Sequence, residues 1–239
     1  MTSDVLFIGY SHIECLRRAA RETPRAKVTV VNANTVRSKE KGETRPLYQQ
    51  VLDSLENPAP DVLCLCLGGN QQHAVGMVEH PQPYSVGDAA TGVLPEGDED
   101  RWFIPHAVML DEFRNRLHPH TQLSRRLYKD IPGARHFYLN APPPMVNWPH
   151  IRQHPGIFRS KLHLGPPPDA IKTKLYALQS RVFRELAEEF RAQFVDIPDA
   201  VKTPEGFLGD DYYNDDPTHG NDAYGAIVLD RVLDEAGIA

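Results

Sequence analysis

The nine residues DVLCLCLGG (61–69) constrain the fold more than any other part of the chain. From Val62 to Leu67 every position is apolar. A strand with one face in water alternates, whereas a strand apolar throughout has both faces covered. Such strands belong to parallel sheets with helices above and below. Four other runs fit the same frame: DVLFIG (4–9), KVTVVNA (27–33), ARHFYLNA (134–141) and FVDI (194–197). Helical spacings fall between them. Ile13, Leu16 and Ala20 make one face, and Leu47, Val51, Leu52 and Leu55 a second. Residues 105–130 read as helical, as do the stretches marked by Leu175, Leu178, Val182, Leu186 and Phe190 and by Ala223, Ile227, Val228 and Val232. The pattern predicts one α/β domain over residues 1–239, a three-layer α/β/α sandwich. Its five-stranded parallel sheet is expected in the flavodoxin-like order 2-1-3-4-5. Segments 73–104 and 141–169 read as long, proline-rich loops, a length usually tied to function.

In such a sheet ligands bind beyond the carboxyl ends of the strands, near the switch between strands 1 and 3. GYSH (9–12) follows strand 1 and GGNQQH (68–73) follows strand 3. Ser11 can be read as a helix N-cap, a favoured place for serine, or as a nucleophile at a helix N-terminus, where the dipole favours negative charge. DPTH (216–219), just before the last helix, bears on that choice. A nucleophilic serine needs a base and a carboxylate that orients the base. His219 can be the base, and Asp216, three residues earlier, can hold its ring. The oxyanion formed on attack needs donors, and Asn70 and the Ser11 N–H can supply them.

These three stretches resemble the SGNH (GDSL-type) hydrolase superfamily. The matching residues are Gly9 and Ser11, Gly68 and Asn70, and Asp216 and His219, in the family's order across nearly the whole chain. The tail DPTHGNDAYGAIVLDRVL is similar to the family's C-terminal block. Tyr10 and Gln71 stand where the family usually or often has aspartate. The resemblance implies a triad of Ser11, Asp216 and His219, and an oxyanion hole of Ser11, Asn70 and a glycine. Gly42 is the only glycine in the loop NANTVRSKEKGETRP (32–46) after strand 2, so the resemblance assigns it that role. It also implies no metal, no cofactor, and hydrolysis or transfer of acyl groups, often on carbohydrates. The expected function is a serine esterase that cleaves an acyl ester, acetyl in the simplest case, on a small molecule or glycan through an acyl-enzyme. An O-acyltransferase with the same triad and a silent carbohydrate-binding module are the alternatives. Trp148 offers a flat face for a sugar ring, and His150 and His73 are candidate substrate contacts, with Asn147 and His154 nearby.

Other classes fit less well. A net charge of -6, with no strongly basic stretch, argues against nucleic acid as a partner. No apolar run approaches the length of a membrane span. MTSDVLFIG lacks the features of a secretory signal. Three cysteines, Cys15, Cys64 and Cys66, make no disulfide framework. A cytoplasmic protein is the expectation. GGNQQH is also similar to a metallophosphoesterase block, but FIGYSH lacks the Asp-x-His that should open such a site.

Overall fold

The computed structural model describes residues 2–39, 46–57, 59–87 and 100–239. The chain opens with β1 (Ser3–Gly9), a single 3₁₀ turn at Ser11–Ile13 and α1 (Leu16–Glu22). Next come β2 (Ala26–Asn32), α2 (Ala33–Lys39), α3 (Leu47–Asp53), β3 (Val62–Cys66) and α4 (Gln71–Gly76). Short strands β4 (Tyr84–Gly87) and β5 (Trp102–Pro105) precede the long α5 (His106–Asp130) and β6 (Arg135–Leu139). The rest is α6 (Trp148–Gln153), a 3₁₀ segment (Gly156–Leu164), α7 (Asp169–Glu189), β7 (Gln193–Val195) and α8 (Asp222–Glu235).

The main sheet has the order β2-β1-β3-β6-β7, with every pair parallel. This is the expected flavodoxin-like arrangement. Alternation along the strands divides the core. Val5, Phe7, Cys64, Cys66, Phe137 and Leu139 face one side, against Leu16 of α1 and Val228 and Val232 of α8. Leu6, Ile8, Leu63, Leu65 and Tyr138 face the other, against α3, α5 and α7. The central strands β1 and β3 are therefore covered on both faces, which is why Val62 to Leu67 carries no polar residue. Cys64 and Cys66 share a face, and burial pushes their thiols up.

Register brings the two chemical loops together. Gly9 pairs with Cys66, so β1 and β3 end side by side. A Cβ at Gly9 would lie 2.5 Å from the Cys66 carbonyl oxygen, so a larger residue would force the strand ends apart.

Both segments expected as loops contain structure. Within 73–104 lie the end of α4 and the parallel pair β4–β5, in register from Tyr84 with Trp102 to Gly87 with Pro105. Four-residue strands are too short to announce themselves by periodicity. Residues 88–99 lie outside the described part. Within 141–169, the Asn147 side chain caps α6 by accepting from the His150 N–H at 3.1 Å, and Pro149 sits in the first turn. Asn followed by an early proline is a helix-start signal that the loop reading passed over. Ile151 and Phe158 then anchor this segment in the core.

Candidate active site

Beyond Gly9, Tyr10 is extended (φ -103°, ψ -147°) and Ser11 begins the 3₁₀ turn. No side chain caps this turn, and α1 starts only at Leu16. The expected helix N-terminus behind Ser11 is thus one short turn, too brief to supply a macrodipole, and that part of the expectation is corrected. The Ser11 hydroxyl is instead 2.7 Å from His219 Nε2. Tyr10 leaves the site: its hydroxyl lies 3.2 Å from His120 Nδ1, with the two rings edge to face.

His219 and Asp216 lie on the loop that enters α8. His219 Nδ1 is 2.8 Å from Asp216 Oδ1. The same oxygen accepts the backbone N–H groups of Thr218 at 2.8 Å and His219 at 2.9 Å, an arrangement that the D-x-x-H spacing makes local. Asn214 Nδ2 donates to the other carboxylate oxygen at 3.0 Å. Burial alone would raise the Asp216 pKa, but the hydrogen bonds from His219 and Thr218 outweigh it and hold the carboxyl well below its usual range. Asp216 is therefore ionised and acceptor-only, so His219 Nδ1 carries the proton and Nε2 is free to accept from Ser11.

The turn after β3 needs its glycines. Gly68 and Gly69 have φ of +94° and +112°. Gln71 Oε1 accepts from the Gly69 N–H at 2.9 Å, and Gln179 Nε2 donates to the Gly69 carbonyl at 3.1 Å. Gln71 thus braces the turn from the position where the family often has aspartate. Asn70 occupies the cap position of α4 but caps nothing with its side chain. Its Oδ1 lies 3.0 Å from His12 Nε2.

His12 and His73 complete a cluster of three imidazoles. The His12 ring centroid is 4.7 Å from that of His219 and 6.5 Å from that of His73. Burial, and then the nearby His219 and His73, lower the pKa of His12 well below the ordinary value. Burial first, then His219, brings His73 down to about 3. Among the described residues, His12 Nδ1 and both His73 nitrogens are buried without a hydrogen-bond partner.

Two cavities flank the Ser11–His219 pair. One, of about 300 Å³, is lined by Asn70, His73, Ala74, Ile157, Phe158 and Pro217, with His219 at its edge. The other, of about 280 Å³, is lined by Ser11, Glu14, Asn214, His219, Asn221 and Asp222. Trp148 and His150 line neither. Trp148 is half-buried against the core, and His150 Nε2 lies 3.3 Å from the Asp216 carbonyl. Gly42 lies outside the described residues. Among the described residues no group of three or more His, Cys, Asp or Glu side chains is placed to hold a metal ion, and no helix is long and apolar enough to cross a membrane.

No protein-family model matches the chain, and no curated protein matches it. Solved structures share its fold. A phospholipase A1 from Streptomyces albidoflavus superposes with a TM-score of 0.51 at 13% identity, over 98% of this chain and 99% of that one. A provisionally assigned SGNH hydrolase from Slackia heliotrinireducens gives 0.52 at 11% identity, over 99% of this chain and 100% of that one. A provisionally assigned platelet activating factor from Streptococcus pneumonia gives 0.56 at 15% identity, over 98% of this chain and 84% of that one.

Proposed function

The chain has the fold of the SGNH hydrolases, and on that fold we propose that it is a serine ester hydrolase working through an acyl-enzyme. The observation that carries this reading is the continuous relay from Ser11 Oγ to His219 Nε2 at 2.7 Å and from His219 Nδ1 to Asp216 Oδ1 at 2.8 Å. Ser11 Oγ attacks the ester carbonyl carbon while His219 Nε2 takes its proton. The carbonyl oxygen becomes an oxyanion that accepts from Asn70 Nδ2 and the Ser11 N–H, with Gly42 as a third donor. The C–O bond to the alcohol breaks, and His219 returns the proton to the departing oxygen. Water, deprotonated by His219, then releases the acid and restores Ser11.

The two cavities support a division of the substrate. The side with Ala74, Ile157, Phe158 and Pro217 is apolar and suits the acyl chain. At roughly 30 Å³ per water-sized group, its volume has room for about ten non-hydrogen atoms, so it takes acetyl and chains well beyond it. The other side carries the Glu14 and Asp222 carboxylates beside Asn214 and Asn221. Glu14 is paired with Arg17 and Asn32, and Asp222 lies 3.9 Å from Arg18, so this side is polar with its charge offset, and a neutral polyhydroxy alcohol such as a sugar suits it.

Purified protein assayed on chromogenic esters from acetyl to decanoyl tests the reading. Turnover that peaks between butyryl and octanoyl and disappears in Ser11→Ala supports it. Turnover that survives in Ser11→Ala removes the mechanism, and a preference confined to acetyl removes the chain assignment.

A further inference from the structure

An oxyanion donor works only when its N–H is already aimed before the charge forms, because reorganising it during reaction forfeits most of its effect. Asn70 stands on a turn and is exposed, and its side chain does not cap α4. A free amide on an exposed residue would rotate between two faces, offering its oxygen as often as its nitrogen. Among the described residues, the one side-chain bond that fixes Asn70 is the one to His12.

We infer that His12 is a positioning residue: its Nε2–H donates to Asn70 Oδ1 and so commits Nδ2 to the oxyanion. This deepens the proposed function and rests on it. An asparagine oxygen can only accept, so the bond requires the proton on His12 Nε2. The opposite tautomer would lose the bond and bury an unpaired N–H at Nδ1, a rarer state than an unpaired acceptor. The amide has two arms, and with Oδ1 held by His12 the other arm carries both of its protons.

The surroundings hold His12 to this single form. Its ring lies against Gly69, where a Cβ would come within 2.8 Å of His12 Cδ2. The second glycine of GGN is therefore the space that the imidazole occupies. His219, 4.7 Å away, gains a positive charge each time it takes the serine proton. A charged His12 would oppose that step, and burial keeps His12 neutral. The pair is 58 positions apart in sequence, so neither local spacing nor the GYSH and GGN motifs disclose it.

Two measurements test the inference. In ¹⁵N-histidine spectra of the whole protein, His12 is expected as the neutral Nε2–H tautomer at pH 7. A charged ring or the Nδ1–H tautomer overturns the inference without any variant. In kinetics, His12→Phe keeps the ring shape and removes the donor, and should lower kcat about tenfold with KM within about twofold. His12→Gln, whose amide can reach the same oxygen, should recover most of the loss. In the Asn70→Ala background His12→Phe should cost nothing further, since the group it aims is gone. Losses that multiply, or a KM effect alone, would reduce His12 to packing and overturn its role, while Ser11→Ala inactivity would leave the esterase reading in place. Activity retained in Ser11→Ala would remove both. Unfolding of His12→Phe leaves the tautomer measurement and His12→Gln to decide.

Discussion

The two sides of the histidine cluster are built from the same residue type and behave in opposite ways. On one side His219 is partly exposed, and both of its ring nitrogens have partners, Ser11 and Asp216. On the other side His12 and His73 are fully covered, uncharged, and share three orphaned nitrogens among the described residues. A histidine meant to take up a proton needs a carboxylate behind it and room for charge. A histidine meant to hold a geometry needs the reverse, a dry site where it stays neutral and keeps one tautomer. Burial and partners, not residue type, separate His219 from His12 and His73.

The strongest way to break this contrast is to remove the proton-transfer side. Ser11→Ala should lower ester turnover by about 10⁴-fold or more with the fold unchanged, as for other triad nucleophiles. Asp216→Asn and His219→Ala should be far from additive, because the relay works as a unit. If the double variant lost the product of the two single losses, the residues would not be partners.

Next comes the aimed amide. Asn70→Ala should lower kcat by roughly 10²–10³ with a smaller change in KM, the pattern for one missing oxyanion donor. A change confined to KM would make Asn70 a binding residue and detach it from the His12 side.

The dry side can be sharpened by pH. His73 titrates at about 3 when folded and at 6.5 in its unperturbed state. Between those values the unfolded chain binds a proton that the folded chain refuses. Stability is therefore fully present above 6.5 and falls as pH drops towards 3. At pH 5 the loss from His73 is about 2 kcal/mol, and His12 adds to it in the same direction. Denaturant melts of His73→Phe should show a shallower fall between pH 7 and pH 5 than the parent. Parallel curves would mean that His73 is charged or hydrogen-bonded in the folded protein.

The smallest effect is expected at Trp148, which lies off both cavities. Trp148→Ala should cost about 1–2 kcal/mol of stability through lost apolar packing. It should change turnover of a small chromogenic ester and of an acylated sugar by the same factor. A selective loss on the sugar ester would return Trp148 to the substrate.

The legible and illegible parts of the molecule divide along physical lines. Strand β3 announced the double-covered sheet because its run from Val62 to Leu67 is apolar throughout, and the order of the five main strands followed from their alternation with helical segments, the pattern of a flavodoxin-like sheet. Asp216 and His219 were readable because three residues in one turn bring carboxylate and imidazole together without help from the rest of the fold. Ser11 was readable through the strand that precedes it, although the short 3₁₀ turn was not. The β4–β5 pair escaped because four-residue strands carry too few positions for a period. Helix α6 escaped because its segment was read as part of a long, proline-rich loop, when Pro149 sits in the first turn beside the Asn147 cap. The His12–Asn70 bond escaped for a different reason. It depends on the Gly9–Cys66 register and on the space at Gly69, and both are properties of packed strands.

The most direct test of the central claim is the structure of the protein after reaction with an alkyl phosphonate ester, whose tetrahedral phosphorus imitates the first intermediate. Phosphorus is expected on Ser11 Oγ, with the phosphoryl oxygen 2.7–3.1 Å from Asn70 Nδ2 and the Ser11 N–H. The alkyl chain is expected between Ile157, Phe158 and Pro217, with Asn70 Oδ1 still on His12. Phosphorus on any other residue, or a phosphoryl oxygen turned away from Asn70, would contradict it.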